Sequence, residues 1–271
     1  MSRRRASFRA LAILAMTVRT LGALCVARVR SGSRGGPFEQ AADRIGRRWA
    51  RAIQRRIAME LVVEGELPEG PVAIVANHLS YLDIVALWCV APGVFVARAD
   101  VAQWPLIGVA SRLIGTISID RSRKRDLLRV IPELSSALAS GRNVIFFPEA
   151  TSSPGVEVLP FRSSLFEAAA RHGVPVVAVS LQYETPGSAP SAAWQVCWWG
   201  DMPFAAHVFG LLKLPRLVAR IRFADSIEPS QDRKELCRLA RDRVLKKFMP
   251  TAPTSFSSRM PAASGRGAGR A

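Results

Sequence analysis

The stretch Ala73 to Trp88, AIVANHLSYLDIVALW, holds the first residues that could do chemistry. An apolar run ends in Asn77-His78, and a lone acid, Asp83, follows five residues after the histidine. A neutral imidazole held by a carboxylate through one ring nitrogen is a base through the other. A base so placed contributes about 10²–10⁴ in rate. The same residues have a quieter reading, in which Asp83 favours a helix N-terminus and His78 satisfies a buried backbone group. Ser80 adds a third, a Ser/His/Asp hydrolase, although the chain has no G-x-S-x-G elbow. Zinc fails because His172 and His207 have no ligand-spaced partners.

Two further stretches carry polar groups at strand ends. In GTISIDRSRKR, Gly115 to Arg125, a short apolar run ends in Asp120-Arg121, and an arginine there suits bidentate capture of a phosphate. Arg123, Lys124 and Arg125 read better as the solvated start of the next helix. In VIFFPEATSSPGVEVLPFRSS, an apolar strand runs into Pro148-Glu149, followed by the hydroxyls of Thr151, Ser152 and Ser153. These hydroxyls, with a helix beginning at Arg162 to Ser164, could bind an anionic or polyol group. Taken alone, Glu149 could equally cap backbone amides. GVPVVAVSL, Gly173 to Leu181, reads as a core strand.

The elements that must position these groups follow from the hydrophobic pattern. Short β-branched runs predict strands at 72–76, 94–97, 116–119, 143–147, 174–180, 195–198 and 219–223. Helices are predicted at 81–90, 102–113, 124–139, 162–172 and 232–246. This alternation specifies an α/β domain with a mostly parallel or mixed sheet, in which functional groups collect at strand ends.

Upstream the character changes. From Met1 to Arg56 there are fourteen arginines against two acids, so most of the +17 net charge lies there, interleaved with apolar residues. That mixture suits a membrane surface better than a nucleic-acid groove, which needs basic residues interleaved with exposed aromatics. SGSRGG, Ser31 to Gly36, separates a first apolar helix from a second over 38–58, striped by Ala41, Ile45, Trp49, Ile53 and Ile57. Arg19 would sit near the centre of any span formed by residues 10–27, so the helix is expected to lie in one leaflet, its arginines reaching the headgroups, with a spanning helix as the alternative. The four separated cysteines form no CxxC pair, which argues for a reducing compartment. After Pro250 the composition is that of a disordered tail, 250–271.

The order and spacing of NHLSYLD, GTISIDR, FPEAT and VPVVAV resemble the successive blocks of the glycerolipid acyltransferase family, whose best-known members acylate lysophosphatidic acid. WWGDMPFAAHVFGLLKLPRLVARIRFADSI is more loosely similar to bacterial members, lyso-ornithine-lipid acyltransferases among them. The resemblance implies a mixed sheet flanked by helices at 59–249, preceded by a two-helix membrane-binding motif at 1–58. It implies that His78 deprotonates an acceptor hydroxyl, with Asp83 orienting it. The oxygen then attacks the thioester of acyl-CoA or acyl-carrier protein, without metal, cofactor or covalent enzyme intermediate. Arg121, Glu149 and Thr151 would bind a lysolipid acceptor, and Pro175 lies in the block associated with the acyl donor. The expected acceptor is lysophosphatidic acid, with lyso-ornithine lipid or a non-catalytic membrane-binding role as alternatives. The expected setting is the cytoplasmic face of a bacterial inner membrane, with an anionic lipid surface and no nucleic acid as partner. One departure is Ala150, where the family has glycine. A left-handed backbone there would cost alanine roughly 1–2 kcal/mol.

Overall fold

The computed structural model describes residues 2–31, 36–99, 107–120, 123–187 and 191–259. Two helices, α1 (Ser2–Arg30) and α2 (Gly36–Arg56), lead into a seven-stranded sheet. Its strands are β1 (Met59–Glu64), β2 (Ala73–Ala76), β3 (Val94–Arg98), β4 (Ile117–Ile119), β5 (Val144–Phe146), β6 (Val176–Glu184) and β7 (Leu217–Phe223). Between them lie α3 (Leu82–Val90), α4 (Ile107–Leu113), α5 (Leu127–Ala139), α6 (Phe166–His172), α7 (Ala192–Gln195) and α8 (Phe204–Leu212). Helix α9 (Arg233–Lys247) follows the last strand.

The spatial order is β1-β7-β6-β2-β5-β3-β4. The last five in that order run parallel, while β7 is antiparallel to β6 and pairs in parallel with β1. Both faces are covered. Ile74 and Ala76 of β2 join one apolar core with α2, α3 and α8, and Ala73 and Val75 join the other with α5, α6 and α9. That is why the central strands read as continuous apolar runs instead of alternating ones.

The α1–α2 pair is docked on this body. Gly46 of α2 faces the ring of Trp88 in α3, where an added Cβ would fall 2.3 Å from a ring carbon, so the close helix approach needs glycine. The buried line on α2 runs through Phe38, Ala42, Ala50, Ile53 and Ile57, while Ile45 and Trp49 are partly covered. Trp49 Nε1 donates to Thr17 Oγ1 of α1 at 3.1 Å. Arg9 donates to the carbonyls of Leu212 (3.2 Å) and Leu214 (2.5 Å), and Arg5 to that of Lys213 (3.3 Å). Two arginines expected at lipid headgroups therefore cap the C-terminal end of α8, where the carbonyls lack helical partners and the dipole favours a cation.

Three expectations fail. Residues 195–198 are not a strand: α7 ends at Gln195, and the following turn is tied inward by Trp198 N on Leu79 O at 2.9 Å. The stretch Met59–Glu64, left without an element, is edge strand β1. Residues 250–259, read as tail, fold back. Thr251 N donates to Gly155 O (2.8 Å), Ala252 and Phe256 are buried, and a 3₁₀ helix runs from Thr254 to Arg259. Residues 260–271 lie outside the described part, as do 102–106 of the helix expected at 102–113.

Candidate active site

Parallel strands β2, β5 and β6 end on the same edge of the sheet, and the loops leaving β2 and β5 meet there. Asn77 closes the β2–β6 ladder with its side chain. Its Nδ2 donates to Leu181 O (3.0 Å) and its Oδ1 accepts from Leu181 N (2.7 Å), much as a strand backbone would. The chain then turns through His78 into α3. Ser80 Oγ donates to Val196 O at 2.6 Å and is fully buried, which removes the serine-nucleophile reading.

Asp83 sits inside this turn, fully buried. Its Oδ2 lies 2.7 Å from His78 Nδ1 and accepts from the amides of Leu79 (2.7 Å) and Ser80 (3.0 Å). Its Oδ1 accepts from the hydroxyl of Tyr183 at 2.8 Å. Against an acceptor so placed, His78 Nδ1 carries the hydrogen, which leaves Nε2 as the basic nitrogen. The imidazole stacks on Phe147, ring centroids 4.1 Å apart, and its side chain keeps 20% of its exposure. An imidazole held on two sides in this way keeps Nε2 as the nitrogen through which it could take a proton.

Glu149 is turned into the protein and engages backbone amides. It is buried, with Oε2 accepting from His78 N and Oε1 from Leu159 N, each at 3.1 Å. His78 O in turn accepts from Ser153 N at 2.9 Å. The loop after β5 thus holds the histidine's backbone from both sides. Burial pushes the Glu149 carboxyl up to about 8, against the downward pull of the two amides and with Asp83 adding repulsion. Ala150 adopts φ 63°, the left-handed region, so the family's glycine position does require that conformation here. With alanine in the turn, Glu149 accepts from both amides.

The other expected residues are scattered. Thr151 is exposed, its hydroxyl 3.5 Å from Ser152 O. Pro175 lies at the opposite end of β2 from His78, where its carbonyl accepts from Ala73 N at 3.0 Å. The structure does not bring it to the histidine. Arg121 lies outside the described residues. Tyr183 was missed: it continues the core strand by two residues, and its only signal was a polar tip at the end of an apolar run. Beside the site, Tyr81, Trp198, Phe204 and His207 pack as an aromatic wall. His207 bonds Tyr81 Oη (3.1 Å) and Cys197 O (2.9 Å), and burial lowers its pKa. No cluster of potential metal ligands occurs among the described residues.

The chain and its fold have counterparts among known proteins. The profile of the acyltransferase family matches residues 59–182. Over 257 residues the chain is 33% identical to the lyso-ornithine lipid O-acyltransferase of Pseudomonas aeruginosa, covering 94% of this chain and 98% of that protein. It is 33% identical to the 1-acyl-sn-glycerol-3-phosphate acyltransferase of Neisseria meningitidis over 69% of this chain and 73% of that one. The crystal structure of the 1-acyl-sn-glycerophosphate acyltransferase PlsC from Thermotoga maritima superposes with a TM-score of 0.63 at 20% identity, covering 91% and 97% of the two chains, and so shares the fold. The chain belongs to the acyltransferase family of lysolipid-acylating enzymes. It is an acyltransferase acting on a lysolipid.

Proposed function

We propose that the acceptor is lyso-ornithine lipid and that His78 Nε2 takes the proton from its free hydroxyl as the oxygen attacks the thioester of acyl-CoA or acyl-carrier protein. The tetrahedral intermediate collapses with expulsion of the thiolate, which recovers the proton from His78. Asp83 holds the imidazole in the required tautomer, and Glu149 holds the histidine's backbone. The observation that carries the choice of acceptor is the end-to-end match to a lyso-ornithine lipid O-acyltransferase, which spans both the N-terminal helices and the C-terminal segment. The second reading is lysophosphatidic acid, favoured by Arg121 after a strand-end aspartate and by the Neisseria relative. The sequence alone favours lysophosphatidic acid, and the whole-length match supports the opposite order.

The same proposal places α1 in the membrane interface. It is long and apolar enough by length and composition to cross a bilayer. Yet Ala6, Arg9, Thr17 and Leu24 are buried against the body, which leaves one outward line of Phe8, Leu11, Leu14, Val18, Val26 and Val29. A helix tethered along its length with one apolar face free lies in a leaflet. Surrounding arginines favour an anionic surface.

The test is acyl transfer in membranes containing the protein, with both donors and both acceptors offered in parallel beside a His78→Ala control. Transfer to lyso-ornithine lipid that vanishes in the control supports the proposal. Transfer to lysophosphatidic acid alone replaces it with the second reading. Activity that survives His78→Ala removes the histidine from the mechanism.

A further inference from the structure

We propose that Tyr183 is a positioning residue for the His78–Asp83 pair, its hydroxyl fixing the carboxylate from behind while the C-terminal segment 250–256 holds Tyr183 in register. The inference rests on the acyl-transfer reading above and adds a third group to its machinery.

The geometry begins with strand lengths. β2 stops at Ala76, which pairs with Val179, but β6 continues to Glu184 alongside β7. The overhang carries Tyr183 past the end of β2 to the level of the His78 turn. There its hydroxyl is the donor to Asp83 Oδ1 among the described residues, while the other three contacts all fall on Oδ2. The two oxygens turn together about the Cβ–Cγ bond, so the Tyr183 hydroxyl on Oδ1 opposes, from the far side, the same rotation that would carry Oδ2 away from the imidazole. Burial, and then the adjacent Asp83, drive the Tyr183 phenol well above its ordinary range, so the hydroxyl stays a donor across the working pH. The other titratable groups facing this pocket are His78, Glu149 of the β5 loop, Cys197 after α7, and Tyr81.

The C-terminal segment fixes the tyrosine's backbone. Thr251 Oγ1 accepts from Tyr183 N (3.1 Å) and Pro250 O from Gln182 Nε2 (3.2 Å). Thr251 and Ala252 amides donate to Gly155 O, in the turn that follows Glu149. Gly155 has φ 76°, and a Cβ there would lie 2.9 Å from Thr251 and 3.0 Å from Leu79, so the segment, the β5 loop and the catalytic turn touch at one point. Phe256 anchors the far end against Trp194 and Trp199.

The experiment is Tyr183→Phe in the full chain, read in two ways. Steady-state kinetics should show kcat lowered about ten- to a hundredfold, the effect of one hydrogen bond to a charged group, with KM for acceptor and donor within about twofold. The second readout needs no substrate. The chain has three histidines, so ¹⁵N-histidine NMR resolves His78. The wild type should show the Nδ1–H tautomer, and the variant a mixture. A variant with wild-type kcat and an unchanged tautomer overturns the proposal, as does a loss confined to KM. Should Tyr183→Phe fail to fold, 3-fluorotyrosine incorporated in a Tyr81→Phe background labels position 183 alone, since the chain has two tyrosines. The more acidic phenol should then move the His78 ¹⁵N signals, and static signals overturn the idea. If the wild type acylates no lysolipid, the functional reading falls, while the tautomer still decides the role of Tyr183.

Discussion

Two loops leave the sheet side by side, and each is organised by one buried carboxyl, but they are built in opposite ways. Behind the loop after β2, Asp83 in the first turn of α3 gathers two amides, a phenol and an imidazole, and its environment is organised around that ring. In the loop after β5, Glu149 meets two backbone amides, and desolvation lifts it to about 8. In the proposed mechanism the first loop orients the side chain that does chemistry. The second orients the first. It does so with a left-handed alanine and with the C-terminal segment packed behind it. A carboxyl's role in such a site follows from its partners more than from its place in a motif.

Asp83→Asn should break the first loop most severely. The amide has one oxygen where three donors meet and another faces the opposite side, so either the imidazole or Tyr183 loses its acceptor. Activity should fall about 10²–10⁴-fold, measured as kcat, with the binding of acceptor and donor little changed.

Glu149→Gln should be milder and of a different kind. Its NH₂ must oppose either the His78 or the Leu159 amide, leaving a buried donor unpaired at a cost of about 1–3 kcal/mol. The expected outcome is a melting temperature lower by about 5 °C and activity reduced roughly tenfold. The pH dependence sharpens the contrast. A carboxyl raised to about 8 in the folded protein binds its proton more tightly there than in the unfolded chain. Its stabilising effect is therefore complete below the unfolded value, near 4, and is lost as pH rises through about 8. Wild-type stability should decline over that window, and the decline should shrink in Glu149→Gln. Thermal melts at a series of pH values measure both.

The legibility of the two loops in the sequence differs for the same reason. His78 and Asp83 lie within a few residues of each other, so their spacing raises a pair as one of three readings, and the resemblance of the surrounding blocks selects it. Tyr183 reaches Asp83 across a hundred residues of sequence, through the overhang of one strand past another. No periodicity encodes that. Glu149 was visible as a strand-end acid, but the direction it faces depends on where the backbone of His78 passes. The run Gln195–Trp198 looked like a strand because Trp and Val favour sheets, yet tertiary ties to Leu79 and Met202 make it a turn. The segment after Pro250 lacks any apolar period, and Ala252 and Phe256 alone find seats in the body.

Thr251→Ala tests the packing behind the second loop. It removes the acceptor of a part-buried amide, that of Tyr183, and should cost about 1 kcal/mol, with kcat falling a fewfold because Tyr183 is loosened but keeps its hydroxyl. An unchanged kcat would confine the C-terminal segment to stability.

Ala150→Gly should have the smallest effect, and its sign is opposite. The φ of 63° at Ala150 brings its Cβ close to the following carbonyl, a strain of about 1–2 kcal/mol that glycine does not suffer. Glycine's greater freedom in the unfolded chain offsets part of this, by about 0.5–1 kcal/mol. The net expectation is a gain near 1 kcal/mol or less, seen as a melting temperature higher by about 1–3 °C. Because Glu149 already engages both amides with alanine in place, kcat should stay within about twofold of wild type. A large rise in kcat on Ala150→Gly would show that alanine displaces the clamp on His78 during turnover, and the second loop would then do more than hold its neighbour still.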